Sequence, residues 1–375
     1  MKNIFKLFFS LTLSLNLFSC SNSLILENNL DKNFEIFSKN NIPTVRDTDP
    51  NFLTFFSKTY NSGDPSIAKN FEENPDKQII KLINETKKTL DICIYHIDSE
   101  TITDAIIDAH RRKVKVRIVI DSDTNQTESV KRIINEGIPI VEDNRNSLMH
   151  NKFLISDNET VWTGSFNFTD NASWKHCDNT IKIKNKYLAK NFIAEFEEMF
   201  IYKKFGRQSI QNMRNRIVRI GNKYVKTFFA PEDDVPGAII NEIMKANKEI
   251  KFLSYSFTHS KISEAILKKK KEGLKVSGIF EYTGSNTLYS EYKNLLNEGV
   301  TLYRYKSIDS SKSFMHHKVI IIDNKTVITG SFNFTQNASN DNDENILIIS
   351  SSETAERYNQ EFERVKSGCE LTILN

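Results

Sequence analysis

Two segments of the sequence carry the same reactive side chains at the same spacing. The first, SLMHNKFLISDNETVWTGSFNFT, begins at residue 147, and the second, SFMHHKVIIIDNKTVITGSFNFT, begins at residue 313. Each contains a histidine, a lysine two residues later, and a G-S-x-N sequence further along. An imidazole, an ammonium group, a hydroxyl and an amide are together a set of donors suited to a tetrahedral oxyanion such as phosphate.

The two segments align without a gap at an offset of 166 residues, and upstream the offset becomes 160. The equivalent residues include His150 and His316, Ser165 and Ser331, and Asp178 and Glu344 at the first offset, and Ala105 and Ala265 at the second. This repeat is far longer than the units of solenoid proteins. The sequence therefore predicts two domain-sized halves that arose by duplication.

Each half begins with an apolar run, an amphipathic helix and a second apolar run. In the first half these lie at 89–97, at Ile102, Ala105, Ile106 and Ala109, and at 114–121; in the second they lie at 250–257, at Ile262, Ala265 and Ile266, and at 275–281. Gly137 and Gly299 then follow a further helix in each half. Strand, helix, strand order predicts parallel pairing and an α/β sheet covered on both faces.

The reactive segments themselves predict β-hairpins. Strands are expected at 152–156 and 318–322, and the turn-forming pairs at 157–158 and 323–324 lead into a second strand. Because side chains alternate along a strand, each histidine shares a face with the lysine two residues later. Gly164 and Gly330 are expected to let a ligand approach the backbone closely.

Duplication of the site has a chemical rationale. One copy is enough to bind phosphate, whereas two facing copies place a histidine on each side of the phosphorus atom. One histidine then attacks to form a phosphohistidine, and the other protonates the departing alcohol. Water activated by that second histidine cleaves the intermediate, so the chemistry requires neither a metal nor another cofactor.

The pattern H-x-K-x-x-x-x-D followed by G-S-x-N, present twice, resembles the phospholipase D superfamily with its paired HKD motifs. The resemblance extends from about Phe55 to the end, with the stretch at 228–233 and Phe257-Thr258-His259 similar to the openings of family repeats. It implies an α/β fold of two tandem α/β/α repeats related by pseudo-twofold symmetry, with the active site at their interface. Since both motifs lie in one chain, a monomer is expected to suffice.

The resemblance also implies roles for individual residues. An acidic residue beyond G-S-x-N orients the histidine in the family, and the motif aspartates are expected to be structural because they lie out of phase with the site. By analogy, His150 is the nucleophile and His316 the general acid. The expected catalytic residues are His150, Lys152, His316, Lys318, Asp178 and Glu344; the phosphate-binding residues are Ser165, Asn167, Ser331 and Asn333; and the structural residues are Asp157, Asp323, Gly164 and Gly330.

Other histidines and the tryptophans receive simpler interpretations. His317 is out of phase with His316 and is expected to face the core or a neighbouring loop. His176 and Cys177 are expected to line the site without reacting. Structural or packing roles are expected for His96, His110, His259, Trp162 and Trp174.

The N-terminus has the features of an export signal. Lys2 and Lys6 precede an apolar run at 7–18, which is shorter than the roughly 20 residues that a membrane-spanning helix needs. The sequence LFSC at 17–20 resembles a bacterial lipoprotein cleavage box, which predicts lipidation of Cys20. An ordinary signal peptide or an uncleaved anchor are the alternatives. Three further cysteines without C-x-x-C spacing favour neither a zinc site nor a disulfide framework.

Composition and charge complete the predicted organisation. The chain has 375 residues, 39% of them hydrophobic, which excludes disorder throughout and allows two cores. The predicted parts are a signal peptide at 1–20, a tether at 21–50, a first repeat at 51–201, a basic linker at 202–226 and a second repeat at 227–375. The linker contains eight Lys or Arg residues and no acidic residue, so it is either a polyanion-binding stretch or a solvated connector.

Three functions are compatible with these residues. Phospholipid is the first expectation for the substrate, because export and a lipid anchor in the cell envelope, periplasmic or surface, place the enzyme beside a bilayer. An exported or envelope-anchored endonuclease is the alternative, since the G-S-F-N-F-T form resembles nuclease-like relatives and the basic stretch suits nucleic acid. A non-catalytic lipoprotein that binds phosphate-bearing ligands is a further alternative, although both histidines are intact. A synthase that transfers a phosphatidyl group is less expected, because such enzymes usually carry N-terminal membrane helices.

Overall fold

A computed structural model describes residues 45–57, 69–306 and 313–372 of this protein. The predicted signal peptide with Cys20, and the predicted tether up to residue 44, lie outside the described residues. Within the described ranges, none of the helices has the length and apolar character required to cross a membrane.

The first half forms a mixed sheet with helices on its faces. Its order, within the described residues, is β1-β7-β6-β5-β2-β3-β4, with parallel pairing among β2, β3 and β4 and antiparallel pairing elsewhere. The strands are β1 (Phe52–Phe56), β2 (Thr89–Ile94), β3 (Lys115–Ile120), β4 (Ile140–Glu142), β5 (Lys152–Ser156), β6 (Thr160–Gly164) and β7 (Asn179–Lys184). The helices are α1 (Pro75–Glu85), α2 (Glu100–Arg111), α3 (Glu128–Asn135), α4 (Asp170–Trp174) and α5 (Lys186–Phe200).

The second half repeats this arrangement with strands added at both edges. Its order in the described part of the chain is β16-β12-β11-β10-β13-β14-β15-β9-β8. The strands are β8 (Ile217–Ile220), β9 (Lys223–Ala230), β10 (Glu249–Ser254), β11 (Lys275–Glu281), β12 (Thr301–Tyr305), β13 (Lys318–Ile322), β14 (Thr326–Gly330), β15 (Glu344–Ser350) and β16 (Cys369–Leu371). The helices are α6 (Val235–Met244), α7 (Ser260–Lys271), α8 (Tyr282–Ser285), α9 (Tyr292–Asn297), α10 (Gln336–Asn340) and α11 (Ser352–Ser367).

The predicted α/β fold is confirmed, and the local sequence explains several of its details. Each hairpin turn places its two residues in the left-handed region, with φ values between 50° and 57° at Asp157, Asn158, Asp323 and Asn324. Aspartate and asparagine tolerate this conformation best among residues other than glycine. The apolar face of α2 is buried at Ile102, Ala105, Ile106 and Ala109. The basic segment at 202–226 contains β8 and the start of β9, which pair at the edge of the second sheet.

A central hydrophobic core joins the two halves. It contains side chains from both sheets together with those of α5 and α11. Phe192 on α5 has its ring 5.1 Å from that of Phe153 on β5 and 5.1 Å from that of Phe229 on β9. All three rings are buried. Because one core is shared, the orientation of the two sheets relative to each other is fixed by packing.

At Gly164 and Gly330 the protein's own backbone approaches closely. A Cβ atom at Gly164 would lie 2.1 Å from the carbonyl oxygen of Asn179 on the next strand, and one at Gly330 would lie 2.1 Å from that of Asn345. The close approach is therefore to the protein's own backbone and not to a ligand. These glycines let β6 and β14 end directly against β7, which begins just after Asp178, and β15, which begins at Glu344.

Gly164→Ala is expected to destabilise the protein more than Gly137→Ala. Both positions have a positive φ, but an added Cβ at Gly137 would meet no atom within 4 Å. Left-handed strain alone costs about 1–2 kcal/mol, and the collision with the Asn179 carbonyl adds to it at Gly164. Denaturant unfolding followed by circular dichroism measures both variants. Equal losses of unfolding free energy would contradict the close-approach explanation.

Candidate active site

Each motif histidine is held by the backbone of the opposite half. The amide N–H of His150 donates to the carbonyl of Asp343 at 3.0 Å, and that of His316 donates to the carbonyl of Cys177 at 3.0 Å. Both acceptors lie one residue before the acidic residue beyond G-S-x-N. The segment that begins β5 is thereby joined to the start of β15, and the segment that begins β13 to the start of β7.

The side chains cross between the halves in the same way. The Nδ1 atom of His150 lies 2.9 Å from both carboxylate oxygens of Glu344, and the Nδ1 atom of His316 lies 2.9 Å from Oδ1 of Asp178. Both carboxylates are fully buried. A carboxylate that accepts from Nδ1–H fixes the tautomer and leaves the Nε2 lone pair for chemistry. Each motif histidine is therefore paired with the acidic residue of the opposite half.

The serines lie behind these carboxylates. Ser165 donates its hydroxyl to Oδ1 of Asp178 at 2.6 Å, and Ser331 donates its hydroxyl to Oε2 of Glu344 at 2.6 Å. A hydroxyl has one proton to donate, and here the carboxylate receives it. The expected phosphate-binding role of Ser165 and Ser331 is therefore revised, since both position the acidic residue that orients a histidine.

Two asparagines join the halves beside the acidic residues. Asn179 follows Asp178, and its Oδ1 accepts from Thr329 of the second half at 2.7 Å. Asn345 follows Glu344, and its Oδ1 accepts from Thr163 of the first half at 2.7 Å. All four side chains are buried. These hydrogen bonds add specificity to the packing that fixes the site.

His317 belongs to the same system of contacts. Its Nδ1 accepts from the Asn179 amide at 3.0 Å, and its Nε2 lies 2.9 Å from Oε1 of Glu361 on α11. The equivalent residue of the first half, Asn151, accepts from the amide of Asn345 at 2.7 Å. His317 therefore faces the interior, away from the reacting nitrogens.

The motif lysines are buried and partly satisfied. Lys152 donates to the carbonyl of His150 at 2.6 Å, and Lys318 donates to the carbonyl of His316 at 2.6 Å. An ammonium group has three protons, so each keeps donor capacity for an anion. Each Nζ also lies 5.0 Å from a tyrosine ring, that of Tyr95 for Lys152 and of Tyr255 for Lys318.

The two tyrosines are site residues that the sequence interpretation missed. The ring of Tyr95 lies 5.1 Å from that of His150, and the ring of Tyr255 lies 4.9 Å from that of His316, both edge to face. Each tyrosine directly follows a central strand, β2 or β10, and the two are 160 residues apart. The upstream offset of the repeat therefore contained the signal that identifies them.

Burial dominates the electrostatics of the site. It lowers the pKa of His150 to about 4, although the Glu344 carboxylate opposes the change. Burial, followed by the charges of Lys318 and His176, lowers the pKa of His316 well below its ordinary value. Burial likewise lowers the pKa of Lys152 to about 8 and that of Lys318 to about 7. In the absence of an anion, both imidazoles are thus neutral at pH 7.

The asparagines of the two G-S-x-N sequences, unlike the serines, are only partly buried. Within the described residues, the Oδ1 atoms of Asn167 and Asn333 are buried and have no hydrogen-bond partner. Both side chains are only partly buried as a whole. Their amides remain predicted phosphate ligands, since the NH2 group of each can donate to a phosphate oxygen.

The motif aspartates lie away from the imidazoles, and their carboxylates accept hydrogen bonds from backbone amides. Asp157 accepts from the amides of Lys87, Lys88 and Thr89, and Asp323 accepts from those of Asn247, Lys248 and Glu249. Partial burial opposes ionisation of both, but these donors outweigh it and lower the pKa of each carboxyl. The two residues anchor the segments that enter β2 and β10.

His176 and Cys177 have different environments. The ring of His176 lies 5.8 Å from that of His316, and its Nδ1 is 3.9 Å from Oδ2 of Asp178, so it lines the site. Cys177 is fully buried in the central hydrophobic core. The expectation that Cys177 lines the site is wrong, because alternation along the extended segment turns its side chain to the opposite side.

The remaining aromatic residues are mainly packing elements. Trp162 is buried, and its ring lies 5.5 Å from that of Phe55. The ammonium group of Lys69 lies 4.4 Å from the ring of Trp174. His96 is partly buried beside Tyr95, with ring centroids 6.4 Å apart. His259 is buried at the start of α7, and His110 lies in the last turn of α2.

Comparisons with known proteins agree with this geometry. The domain family described as "Cardiolipin synthase, PLD-like domain" matches residues 79–200 and 239–366. A protein named phospholipase D from Rickettsia conorii is 32% identical over 165 residues, which cover 44% of this chain and 80% of that protein. A protein named mitochondrial cardiolipin hydrolase from Chlamydomonas reinhardtii is 28% identical over 125 residues, covering 33% of this chain and 56% of the relative.

A solved structure extends the likeness to both halves. Phosphatidylserine synthase from Haemophilus influenzae Rd KW20 superimposes with a TM-score of 0.63 at 13% sequence identity, covering 79% of this chain and 85% of that one. At this identity the likeness concerns the fold. Since the domain match occupies most of the chain and falls once on each half, this protein belongs to the phospholipase D superfamily, with its PLD-like domain present twice.

Proposed function

We propose that this protein is a metal-independent phosphodiesterase that hydrolyses the head-group phosphodiester of phospholipids through a phosphohistidine intermediate. The observation that carries this proposal is the crossed pairing of His150 with Glu344 and of His316 with Asp178. It gives two imidazoles with fixed tautomers in one site. Two such groups are the nucleophile and the acid that in-line displacement at phosphorus needs.

The first step forms the covalent intermediate. Nε2 of His150 attacks the phosphorus atom, and the bond between phosphorus and the alcohol oxygen of the head group breaks. His316, protonated when the anionic substrate occupies the site, gives its Nε2 proton to that oxygen. Glu344 stabilises the positive charge that develops on the His150 ring.

The second step restores the enzyme. Neutral His316 takes a proton from water, and the resulting hydroxide oxygen bonds to phosphorus while the bond between phosphorus and His150 breaks. The products are phosphatidic acid and the free head-group alcohol. Protons and charges balance over the two steps, and the lysine ammonium groups with the Asn167 and Asn333 amides hold the phosphate oxygens throughout.

A bilayer substrate is favoured by a surface feature beside the site. The loop between α8 and α9 exposes Leu288 and Tyr289, whose exposed fractions are 88% and 77%. Its base lies against the site, since a Cβ at Gly284 would be 2.2 Å from the carbonyl oxygen of Tyr255, the residue that flanks His316. The corresponding first-half loop, at 122–127, is polar throughout. Apolar side chains raised beside an active site suit a lipid surface.

One further observation and one expectation point the same way. Relatives of this chain are named phospholipase D and cardiolipin hydrolase. A lipid anchor at Cys20, expected from the sequence, would keep the site close to membrane phospholipid. Nucleic acid remains the competing substrate, and binding without catalysis the competing function.

A substrate panel tests the proposal directly. Release of labelled choline, ethanolamine or glycerol from phospholipid vesicles in EDTA is the expected result, whereas degradation of plasmid DNA would identify a nuclease. His150→Asn and His316→Asn are each expected to abolish the activity. Rapid quenching of the reaction with 32P-labelled substrate in detergent at mildly alkaline pH, where the bond between phosphorus and histidine survives, is expected to place the label on His150. Label on His316 would reverse the assigned roles, and activity in either variant would refute the two-histidine mechanism.

The rate is expected to fall as pH rises above neutrality. Lys318, with a pKa of about 7, and Lys152, with a pKa of about 8, lose the charge that holds phosphate, and the lowered pKa of His316 makes the acid form scarcer. His150, with a pKa of about 4, stays neutral and nucleophilic on the acid side. The ratio kcat/KM reports the ionisation of the free enzyme. Measured from pH 4 to 9, it should therefore be highest at about pH 5–6. A rate that climbs to pH 9 would contradict these assignments.

The exposed loop should matter only when the substrate is in a bilayer. Leu288→Ser combined with Tyr289→Ser is expected to lower the rate on phospholipid vesicles about tenfold, because two apolar side chains no longer enter the lipid surface. The rate on monomeric short-chain phospholipid should not change. Tyr202→Ser is the matched control, since Tyr202 is 68% exposed at the end of α5. An unchanged vesicle rate in the double variant would remove this support for a bilayer substrate.

A further inference from the structure

The two sides of the site differ although the motifs are the same. At the offset of 166 residues, His176 of the first half corresponds to Asn342 of the second, and Phe314 corresponds to Leu148. The ring of His176 packs 5.3 Å from that of Phe314. His316 therefore has a second imidazole beside it, whereas His150 has none at the equivalent position.

Three ligand groups converge on the His316 side. His176, Asp178 and His316 each offer a ligand atom, and these atoms all lie within 4.8 Å of one another. Oδ1 of Asp178 is 2.9 Å from Nδ1 of His316, and Oδ2 of the same carboxylate is 3.9 Å from Nδ1 of His176. Ligands of a tetrahedral zinc ion at about 2.0–2.2 Å lie roughly 3.4 Å apart. Small side-chain rotations therefore suffice to enclose an ion.

The chemistry of the three groups selects the kind of ion. Two imidazoles and one carboxylate suit zinc and neighbouring transition metals, whereas calcium and magnesium prefer oxygen ligands alone. Asp178 is fully buried and His316 is 8% exposed, so bound water is limited to the open side.

We infer that His176, Asp178 and His316 form a binding site for a divalent transition-metal ion, with Zn²⁺ the best match, and that its occupancy inhibits the enzyme. The inhibitory part rests on the proposed function, because it concerns the acid role of His316. A metal on either nitrogen of that ring prevents formation of the imidazolium, so no proton can be passed to the leaving alcohol. The metal also competes for the carboxylate that orients the ring.

The opposite side of the site supplies an internal comparison. Asn342 donates to Oε1 of Glu344 at 3.4 Å, and a neutral amide nitrogen is not a metal ligand. Within the described residues, the His176 cluster is the group of three such ligands that the structure brings together. The inferred metal site is thus confined to the His316 side of the active site, although its residues come from both halves.

A cobalt titration tests binding without reference to activity. EDTA-treated protein at pH 7 is titrated with Co²⁺, the visible absorption of the bound ion is followed, and Zn²⁺ is then added to displace it. One equivalent of Co²⁺ is expected to bind to the wild-type protein. His176→Asn, which installs the residue of the other half, should raise the Kd at least about tenfold. His110→Asn is the control, because His110 belongs to no such ligand cluster among the described residues.

A second variant keeps the inference falsifiable if His176→Asn disturbs folding. Asn342→His adds an imidazole beside Glu344 and His150, and the stoichiometry of bound Co²⁺ should rise from one toward two. Circular dichroism and thermal unfolding verify the fold of each protein. Absence of saturable binding to the wild-type protein, or equal affinity in His176→Asn, would overturn the metal site.

The inhibitory role has its own measurement. Each protein's rate in Zn²⁺ is divided by its own rate in EDTA, and the ratio should be low for the wild-type protein and near one for His176→Asn. Binding of Co²⁺ without Zn²⁺ inhibition would overturn the regulatory role but keep the site. If the protein cleaves no phosphodiester at all, the proposed function fails, whereas the titration still decides the metal site.

Discussion

The structure depends on an exchange of partners between its halves: each motif histidine is oriented by the acidic residue of the other repeat. His150 with Glu344 and His316 with Asp178 are buried pairs in which loss of one partner leaves the other without compensation. The serines that donate to these carboxylates, and the asparagines that follow the acidic residues in sequence, stabilise the same pairing between the halves. The shared hydrophobic core between the sheets is therefore part of the catalytic apparatus, because it sets the distance across which these pairs form.

In the proposed mechanism one site performs two different tasks with nearly identical groups. Each imidazole has an acidic partner, a lysine and a tyrosine in equivalent positions. The proposed division into nucleophile and acid therefore has to arise from smaller differences around the two rings. An aspartate orients one ring and a longer glutamate the other, and the ring of His176 lies beside that of His316 alone. The environment of a group, and not its type, thus decides when it carries a proton.

The predicted fold is confirmed, and the residues that the sequence singled out are ones that the structure brings together, because both follow from local patterns and from the register of the repeat. It could not assign Ser165 and Ser331 correctly, since a hydroxyl on the right face looks the same whether it meets a ligand or a carboxylate. A structural role was expected for Gly164 and Gly330, but the sequence did not reveal what approaches them, because the neighbouring backbone comes from a later strand. The crossing itself was beyond reach, because spacing within each repeat does not reveal which half a side chain meets.

The asymmetric pair of His176 and Asn342 illustrates what joining two copies in one polypeptide makes possible. In an assembly of two identical chains, any residue introduced next to one imidazole is introduced next to both, and a change useful on one side is imposed on the other. When the two copies are fused in one chain, a substitution can be made next to one imidazole alone. The crossed histidine–carboxylate pairs still hold the two copies together. A tandem enzyme of this kind can therefore gain control over one chemical step without altering the other.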